Sequence, residues 1–281
     1  MLTDTVKLTC GSWEAEILPD AGANTVRLTF EGRNVLRPLE SRAQMEENPF
    51  LQGSPILLPA NRTDGAAFVF DGRRYTLPLN EPKLGNNLHG TIWSLPFTVL
   101  SRTENAVSLA LENGGDAYPF PFRLTVSVLL DGAGYHRAFE VENTGKTDMP
   151  LTFALHTTFP EPSFVCVPLA EAHRRDERLL PTHYGPLNET EKKVAAGFDS
   201  RGTALVGYFR SGGHTARVGD FLYTVSENFD HWVVYNGGGS AGYICVEPQA
   251  GRVNGLNDGG FIRLSPGKTE RFETAIARSA L

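Results

Sequence analysis

The sequence is dominated by short runs in which apolar and polar residues alternate with a period of two. Residues 13–18, 25–30 and 122–130 show the pattern clearly. This alternation places successive side chains on opposite faces of an extended strand, whereas a helix requires a period near 3.6. The runs end near turn-forming residues, as at Asp131-Gly132, which favour tight hairpins. The pattern therefore predicts many short strands joined by hairpins.

Helical patterns are scarce in comparison. Two short segments, residues 41–47 and 171–178, are predicted to form a turn or two of helix. The absence of regular strand–helix alternation argues against Rossmann and TIM-barrel plans. No linker-like stretch and no internal repeat divides the 281 residues. We therefore expect one all-β domain over residues 1–281, built as a large antiparallel β-sandwich.

The charge and cysteine patterns exclude several classes of protein. There are 26 Lys and Arg residues against 32 Asp and Glu, a net charge of -6, which argues against a general nucleic-acid partner. No apolar run reaches the roughly 18 residues of a membrane span, and the first residues lack a signal-peptide pattern. Cys10, Cys166 and Cys245 stand singly, so no disulfide framework is expected. We expect a cytoplasmic protein with no membrane partner.

A glycine-rich segment imitates a nucleotide-binding motif. Residues 237–242 have the spacing G-x-G-x-x-G, but a dinucleotide site also needs a helix directly after it. The apolar residues 243–246 follow instead. The segment is therefore predicted to be a β-hairpin, and no cofactor is expected.

Four places carry polar residues that are unusual for a β core. Asn61 and Arg62 end an apolar segment, and an arginine fork suits hydroxyl or carboxylate groups. His89 sits in a turn before a glycine, and His156 lies on a small, polar face of a predicted strand over residues 151–159. Glu247 ends an apolar strand and is held in extended geometry by the next proline.

Each of these residues also has a purely structural interpretation, as a loop arginine, a hydrogen-bonded histidine or a strand-end glutamate. Together they supply an acid, a base and polar anchors without an activated nucleophile. No second carboxylate is marked as the partner that glycoside hydrolysis needs. A metal triad of two histidines and Glu247 is the alternative, but the short ligand spacings typical of metal sites are missing. We expect no metal.

The same segments resemble the aldose 1-epimerase (galactose mutarotase-like) family. The matching stretches occur in family order as residues 60–62, 87–90, 155–159 and 245–248. Further similar stretches lie at residues 18–23, 118–122, 141–151 and 264–268. The resemblance therefore extends over essentially the whole chain.

This resemblance implies a β-supersandwich with an open sugar-binding cleft. It implies that the protein interconverts the α and β anomers of a free aldose without a cofactor. Glu247 is then the general base that takes the anomeric proton, and His156 is the general acid that protonates the ring oxygen. His89 is expected to help polarise the ring oxygen, while Arg62 and Asn61 hold sugar hydroxyls.

Two other functions stay open at this point. A hexose-phosphate mutarotase would need a basic pocket, for which Arg62, Arg73, Arg74 and Arg252 are candidates. A non-catalytic sugar-binding or regulatory module on the same fold is the other. The region around Asp199 does not match the family's sugar-binding Asp segment. The expected partner is a small-molecule sugar, and the expected assembly is a monomer or homodimer.

Overall fold

Antiparallel β-structure makes up most of the computed structural model, which describes residues 4–279. Strands contain 49% of the residues and helices 8%. The strands are β1 (Val6–Cys10), β2 (Trp13–Leu18), β3 (Asn24–Phe30), β4 (Arg33–Asn34), β5 (Ile56–Leu57), β6 (Arg62–Asp64), β7 (Ala67–Phe70), β8 (Arg73–Thr76), β9 (Asn86–Leu88), β10 (Thr98–Arg102), β11 (Ala106–Asn113), β12 (Phe122–Leu130), β13 (Tyr135–Asn143), β14 (Met149–Leu151), β15 (Phe153–Leu155), β16 (Thr158–Pro160), β17 (Val165–Cys166), β18 (Leu169–Arg175), β19 (Pro181–Gly185), β20 (Val206–Ser211), β21 (Thr215–Val218), β22 (Phe221–Val225), β23 (His231–Tyr235), β24 (Tyr243–Ala250), β25 (Ile262–Leu264) and β26 (Thr269–Arg278). The helices are α1 (Arg42–Glu47), α2 (Glu189–Ala196) and α3 (Gly255–Asp258), with a short 3-10 turn at Ile92–Ser94.

Two large sheets pack face to face. The first, here the back sheet, has the order β10-β11-β12-β13-β26-β22-β21-β17. The second, here the front sheet, has the order β19-β18-β20-β23-β24-β15-β5, with β16 also paired to β24. A four-stranded sheet β1-β2-β3-β4 and the two-stranded pairs β14-β25, β6-β9 and β7-β8 complete the β-structure of the described chain. The predicted all-β sandwich is confirmed.

Aromatic side chains join the two large sheets across the core. Phe153 of the front sheet stacks on Phe272 of the back sheet, with ring centroids 4.5 Å apart. Phe159 meets Tyr223 edge to face, with ring centroids 5.8 Å apart. Along β13 buried and half-buried residues alternate strictly, which is the two-residue period seen in the sequence. The alternation therefore reports which face of each back-sheet strand enters the core.

Strand β24 differs, because all eight of its residues are buried. Ile244 and Val246 belong to the core between the sheets. The alternate residues Cys245 and Glu247 therefore point to the other face, which loops cover. A carboxylate on this face is shielded from water although it lies outside the core between the sheets.

Two local predictions are wrong and one helix was not predicted. Residues 171–178, expected to be helical, contain most of β18, because this segment pairs with β19 on one side and β20 on the other. Residues 151–159 form parts of three short strands, and His156 lies in the break between β15 and β16 rather than on a strand face. Helix α2, which was not expected, starts with a capping box in which Asn188 and Glu191 bond each other's backbone N–H.

Two other local predictions are confirmed. Helix α1 is capped at its N-terminus by Ser41, whose side chain accepts a hydrogen bond from the backbone N–H of Gln44. The glycine-rich residues 237–242 connect β23 to β24, which pair in antiparallel fashion. Within residues 4–279, no helix is long and apolar enough to cross a membrane.

Candidate active site

The candidate site is a pocket of about 290 Å³ on the outer face of the front sheet. Its floor includes Val233 and Glu247 from the two central strands, and its walls include Phe50, His89 and Leu179 from covering segments. A volume near 300 Å³ is at the small end for ligand pockets. The mixture of apolar walls and convergent polar groups is typical of a site for a small molecule.

A wider concavity of about 560 Å³ lies on the outer face of the back sheet. Its centre is formed by small side chains such as Ala138 and Ala275. The His136–Asp131 pair at its rim is substantially exposed, with 35% and 44% of the two side chains accessible. Water screens the charges of such exposed groups, so we treat the smaller pocket as the candidate active site.

Glu247 and His156 form the most enclosed polar pair of the pocket. Nε2 of His156 lies 3.3 Å from Oε1 of Glu247, and the two side chains are only 8% and 3% exposed. The break between β15 and β16 is held by two backbone hydrogen bonds. The His156 N–H donates to the Pro55 carbonyl, and the Val246 N–H donates to the Thr157 carbonyl. The pair is thus fixed by core strands and not by mobile side chains.

Burial decides where the proton of this pair resides. Removal from water raises the pKa of Glu247 to about 8, opposed by the nearby charge of Arg62. Removal from water also lowers the pKa of His156 to about 4. Both changes favour neutral groups. Near pH 7 the free pair therefore carries one titrating proton, which is on the Glu247 carboxyl, and His156 is a neutral imidazole.

His89 reaches the pocket through an unusual backbone turn. Its φ of 62° is left-handed, as is the 53° of Asn61, and the His89 N–H donates to the Asn61 carbonyl. Gly90 follows with a φ of 60°, and a Cβ there would lie 2.2 Å from the Leu58 carbonyl oxygen. Only glycine permits this approach. The turn brings the His89 ring perpendicular to His156, with centroids 5.3 Å apart.

The imidazole of His89 is fully enclosed. Burial, with the neighbouring His156 and Arg62, lowers its pKa well below the usual value. His89 is therefore neutral near pH 7, and its Nδ1 has no hydrogen-bond partner among the described residues. This Nδ1 is itself enclosed, so a ligand in the pocket would meet Nε2, which can donate or accept depending on the tautomer.

Arg62 is held by a network that occupies most of its donors. Its Nε and Nη2 form a two-pronged ion pair with Glu81, both contacts at 2.9 Å. Its Nη1 donates to the Tyr208 hydroxyl at 2.8 Å and to the Asn61 side-chain oxygen at 3.2 Å. A guanidinium has five N–H groups, so about one remains for a ligand. Arg62 mainly positions Tyr208 and Asn61 and supplies positive charge near Glu247.

The hairpin between β18 and β19 closes the upper side of the pocket. Leu179 adopts a left-handed φ of 62° and its carbonyl accepts a hydrogen bond from the Tyr208 hydroxyl. Arg178 ties the hairpin to the opposite wall through Asp64 at 2.6 Å. Arg175 lines the pocket beside the Tyr208 ring. No carboxylate of the described chain forms an ion pair with Arg175.

The structure brings together all five residues singled out in the sequence, namely Asn61, Arg62, His89, His156 and Glu247. It does not bring Arg73, Arg74 or Arg252 to the pocket lining, and Arg252 pairs instead with Asp258. Asp199 lies outside the pocket and pairs with Arg201. The roles of the five residues stay predictions.

Three contributors were missed in the sequence: Glu81, Arg175 and Tyr208. Tyr208 lies on β20, and Arg175 lies on the strand that was taken for a helix. With β18 assigned as a strand, Arg175 would have stood at its end, where binding residues are common. Glu81 lies in a loop and carries no recognisable sequence signal. Among residues 4–279, one group of side chains could hold a metal ion: His156, Cys245 and Glu247.

The fold and this pocket define a galactose mutarotase-like β-sandwich protein. A solved structure of a galactose mutarotase-like protein from Clostridium acetobutylicum superposes with a TM-score of 0.90 at 22% identity, covering 99% of this chain and 95% of that one. An aldose epimerase homologue from C. elegans gives a TM-score of 0.82 at 16% identity, covering 99% of both chains. At these identities the likeness concerns the fold.

The chain belongs to the aldose 1-epimerase family, whose model matches residues 4–277. Among curated proteins it is similar to the uncharacterized protein YihR of Escherichia coli K12, at 27% identity over 210 residues. That match covers 68% of this chain and 66% of YihR, slightly less than two thirds of the relative's length.

Proposed function

We propose that the protein is an aldose 1-epimerase that interconverts the α and β anomers of a free aldose. The observation that carries the proposal is the enclosed pair of His156 and Glu247, 3.3 Å apart on the floor of a small polar pocket. Mutarotation needs a proton acceptor at one oxygen of the sugar and a proton donor at another. It needs no nucleophile, which agrees with the groups that line this pocket.

The proposed reaction has two symmetric halves. Glu247 takes the proton of the anomeric hydroxyl as the bond between the anomeric carbon and the ring oxygen breaks. His156 gives its proton to the ring oxygen, so that an open-chain aldehyde forms. Rotation about the bond next to the aldehyde presents its other face, and ring closure returns both protons to their original carriers. No proton is gained or lost over the cycle.

The starting state requires one proton transfer inside the pair. In the free site burial keeps the shared proton on Glu247, because this carboxyl has a raised pKa of about 8. A bound sugar brings a hydroxyl donor to the carboxylate, and hydrogen bonding favours the charged form. The 3.3 Å contact gives a direct route for the proton to His156. After ring opening the pair returns to the neutral form that burial favours.

The remaining polar groups hold the sugar. His89 lines the pocket and is proposed to bond the ring oxygen or a neighbouring hydroxyl through Nε2, since its Nδ1 is enclosed. Asn61 and the free N–H of Arg62 are proposed to bond further hydroxyls. The main part of Arg62 acts through Tyr208, which it holds at 2.8 Å. These contacts orient the sugar so that both oxygens meet the acid–base pair.

A second candidate substrate class is an aldose with an anionic substituent. It is favoured by Arg175, a cation that lines the pocket and forms no ion pair with a carboxylate in the described chain. Arginine is well suited to bind phosphate in two-pronged geometry. The other arginines considered from the sequence do not support this class, since Arg73, Arg74 and Arg252 lie away from the pocket lining.

The test is anomer exchange measured by NMR on the full chain, with a panel of free aldoses and their phosphate esters. Exchange above the spontaneous rate, lost in Glu247→Gln and kept in Glu14→Gln, is the expected result. Glu14 is an exposed carboxylate on β2, so it serves as the matched control. Sugar binding without faster exchange would support the non-catalytic module instead. Acceleration only with phosphate esters, weakened in Arg175→Met, would establish the second substrate class.

A further inference from the structure

Cys245 stands next to the acid–base pair and takes no part in the proposed reaction. One potential ligand atom from each of His156, Cys245 and Glu247 lies within 4.8 Å of the others, and all three residues are buried. This is the one group of three or more metal-capable side chains found within residues 4–279. His156 and Glu247 line the pocket, and Cys245 is enclosed behind them with 0% of its surface exposed; neither Cys10 nor Cys166 belongs to the group.

Strand geometry brings the three ligands together. Cys245 and Glu247 are two residues apart on β24 and therefore share one face. Thr158 of β16 is the direct cross-strand partner of Cys245, so His156, two residues earlier, comes opposite Glu247. The arrangement is set by register and backbone hydrogen bonds, and a metal would require only small movements of side chains.

The donor set is suited to a thiophilic divalent cation. Zinc is commonly bound by thiolate sulfur, imidazole nitrogen and carboxylate oxygen in tetrahedral geometry. Three protein ligands leave a fourth position open, and two of the three, His156 and Glu247, line the pocket. Calcium and magnesium prefer sets of oxygen ligands. The mixed sulfur, nitrogen and oxygen set therefore discriminates against them.

We propose that His156, Cys245 and Glu247 form a binding site for Zn²⁺ or a similar thiophilic cation, and that its occupation blocks the pocket. On binding, the cation forms bonds to His156 Nε2, Cys245 Sγ and one Glu247 oxygen. The thiol proton and the carboxyl proton pass to solvent, so the dication replaces two protons. Both proton carriers of the reaction are then engaged. The cation is thus an inhibitor, and the expectation that activity requires no metal is unchanged.

Binding is tested directly with Co²⁺, which reports a thiolate ligand through a charge-transfer absorption band in the near ultraviolet. The intact protein and Cys166→Ser are expected to show the band, and added Zn²⁺ is expected to remove it. Cys166 is half-buried, does not line the pocket and belongs to no potential metal group, which makes it the matched control. Cys245→Ser and Cys245→Ala are both expected to lack the band, and circular dichroism checks that each is folded.

Inhibition is tested by anomer exchange at increasing Zn²⁺ concentrations, with each variant compared to its own rate without metal. Loss of a ligand is expected to raise the inhibitory concentration about tenfold or more in Cys245→Ala, and Mg²⁺ is expected to have no effect. No cobalt band in the intact protein, or an equal band in Cys245→Ser, would overturn the proposal. The cobalt experiment requires no sugar turnover, so it separates failure of this site from failure of the proposed function.

Discussion

Replacing Glu247 by glutamine is expected to abolish most of the activity and at the same time to stabilise the fold at alkaline pH. The carboxyl is only 3% exposed and lies beside a neutral histidine. Ionising it in this place is unfavourable, because the pocket gives the charge less solvation than water does. Glutamine has nearly the same shape and does not ionise. The substitution thus removes both the proton acceptor and the cost of its charge.

The magnitude follows from the pKa of Glu247, which burial raises from 4.5 to about 8. A carboxyl with a raised folded-state pKa contributes stability fully below pH 4.5, and this contribution is lost as the pH rises through 8. At 1.36 kcal/mol per pKa unit the loss is at most about 5 kcal/mol. Glu247→Gln avoids it, so we expect a gain of about 2–4 kcal/mol over the wild type near pH 8.5 and little difference near pH 4.5.

The assay is urea unfolding of the wild type, Glu247→Gln and the surface control Glu14→Gln, each at pH 4.5, 6.5 and 8.5. Anomer exchange is measured on the same samples, and turnover of Glu247→Gln is expected to fall by about 10²–10⁴-fold. The control is expected to match the wild type in both measurements. A stability difference that does not grow with pH, or a less stable Glu247→Gln at pH 8.5, would refute the burial argument. Wild-type turnover in Glu247→Gln would refute the role of Glu247 as base.

Three further predictions concern the same pocket. The kcat/KM profile is expected to be level between about pH 4 and pH 8, the pKa values to which burial moves His156 and Glu247. Below this window the pair lacks a proton acceptor and above it the pair lacks a proton donor, so an optimum outside the window would contradict the assignment. Tyr208→Phe removes the hydroxyl that links Arg62 to the Leu179 carbonyl, so we expect the free energy of unfolding to fall by about 1–2 kcal/mol and KM to rise. An unchanged KM would show that this link does not contribute to substrate binding. Gly90→Ala places a Cβ 2.2 Å from the Leu58 carbonyl oxygen and is expected to cost about 2–4 kcal/mol in thermal unfolding; near-wild-type stability would show that the turn can relax.

The fold was predictable because its main signal is local. Two-residue alternation needs no knowledge of distant parts of the chain, and β13 shows it over its whole length. The assignment failed where pairing outweighed local preference. The charged segment in β18 looks helical, but it is extended because strands on both sides bond to it. Helix α2 was not predicted, although Asn188 and Glu191 at its start form a capping signal that is visible in the sequence.

The site was predictable where a residue stood out from its neighbours. His156 and Glu247 are polar residues within apolar runs, and His89 lies before a glycine that its turn requires. Glu81 and Tyr208 could not be found in this way. Their importance comes from contacts to Arg62 across 19 and 146 residues of chain, and one sequence does not reveal such distant pairing.

Residues at the break between β15 and β16 and residues of the covering loops differ in how readily they accept substitutions. Glu247 lies on β24, whose residues are all buried, and His156 lies in the break between β15 and β16 beside it, whereas Phe50 and Leu179 reach the pocket from covering loops. Loops accept substitutions and insertions more readily than buried strands do. Under the proposed function, a new sugar preference would therefore arise by altering the covering segments while His156 and Glu247 stay in place. In evolutionary terms, the proposed recognition and the proposed chemistry would then change independently, on separate parts of this chain.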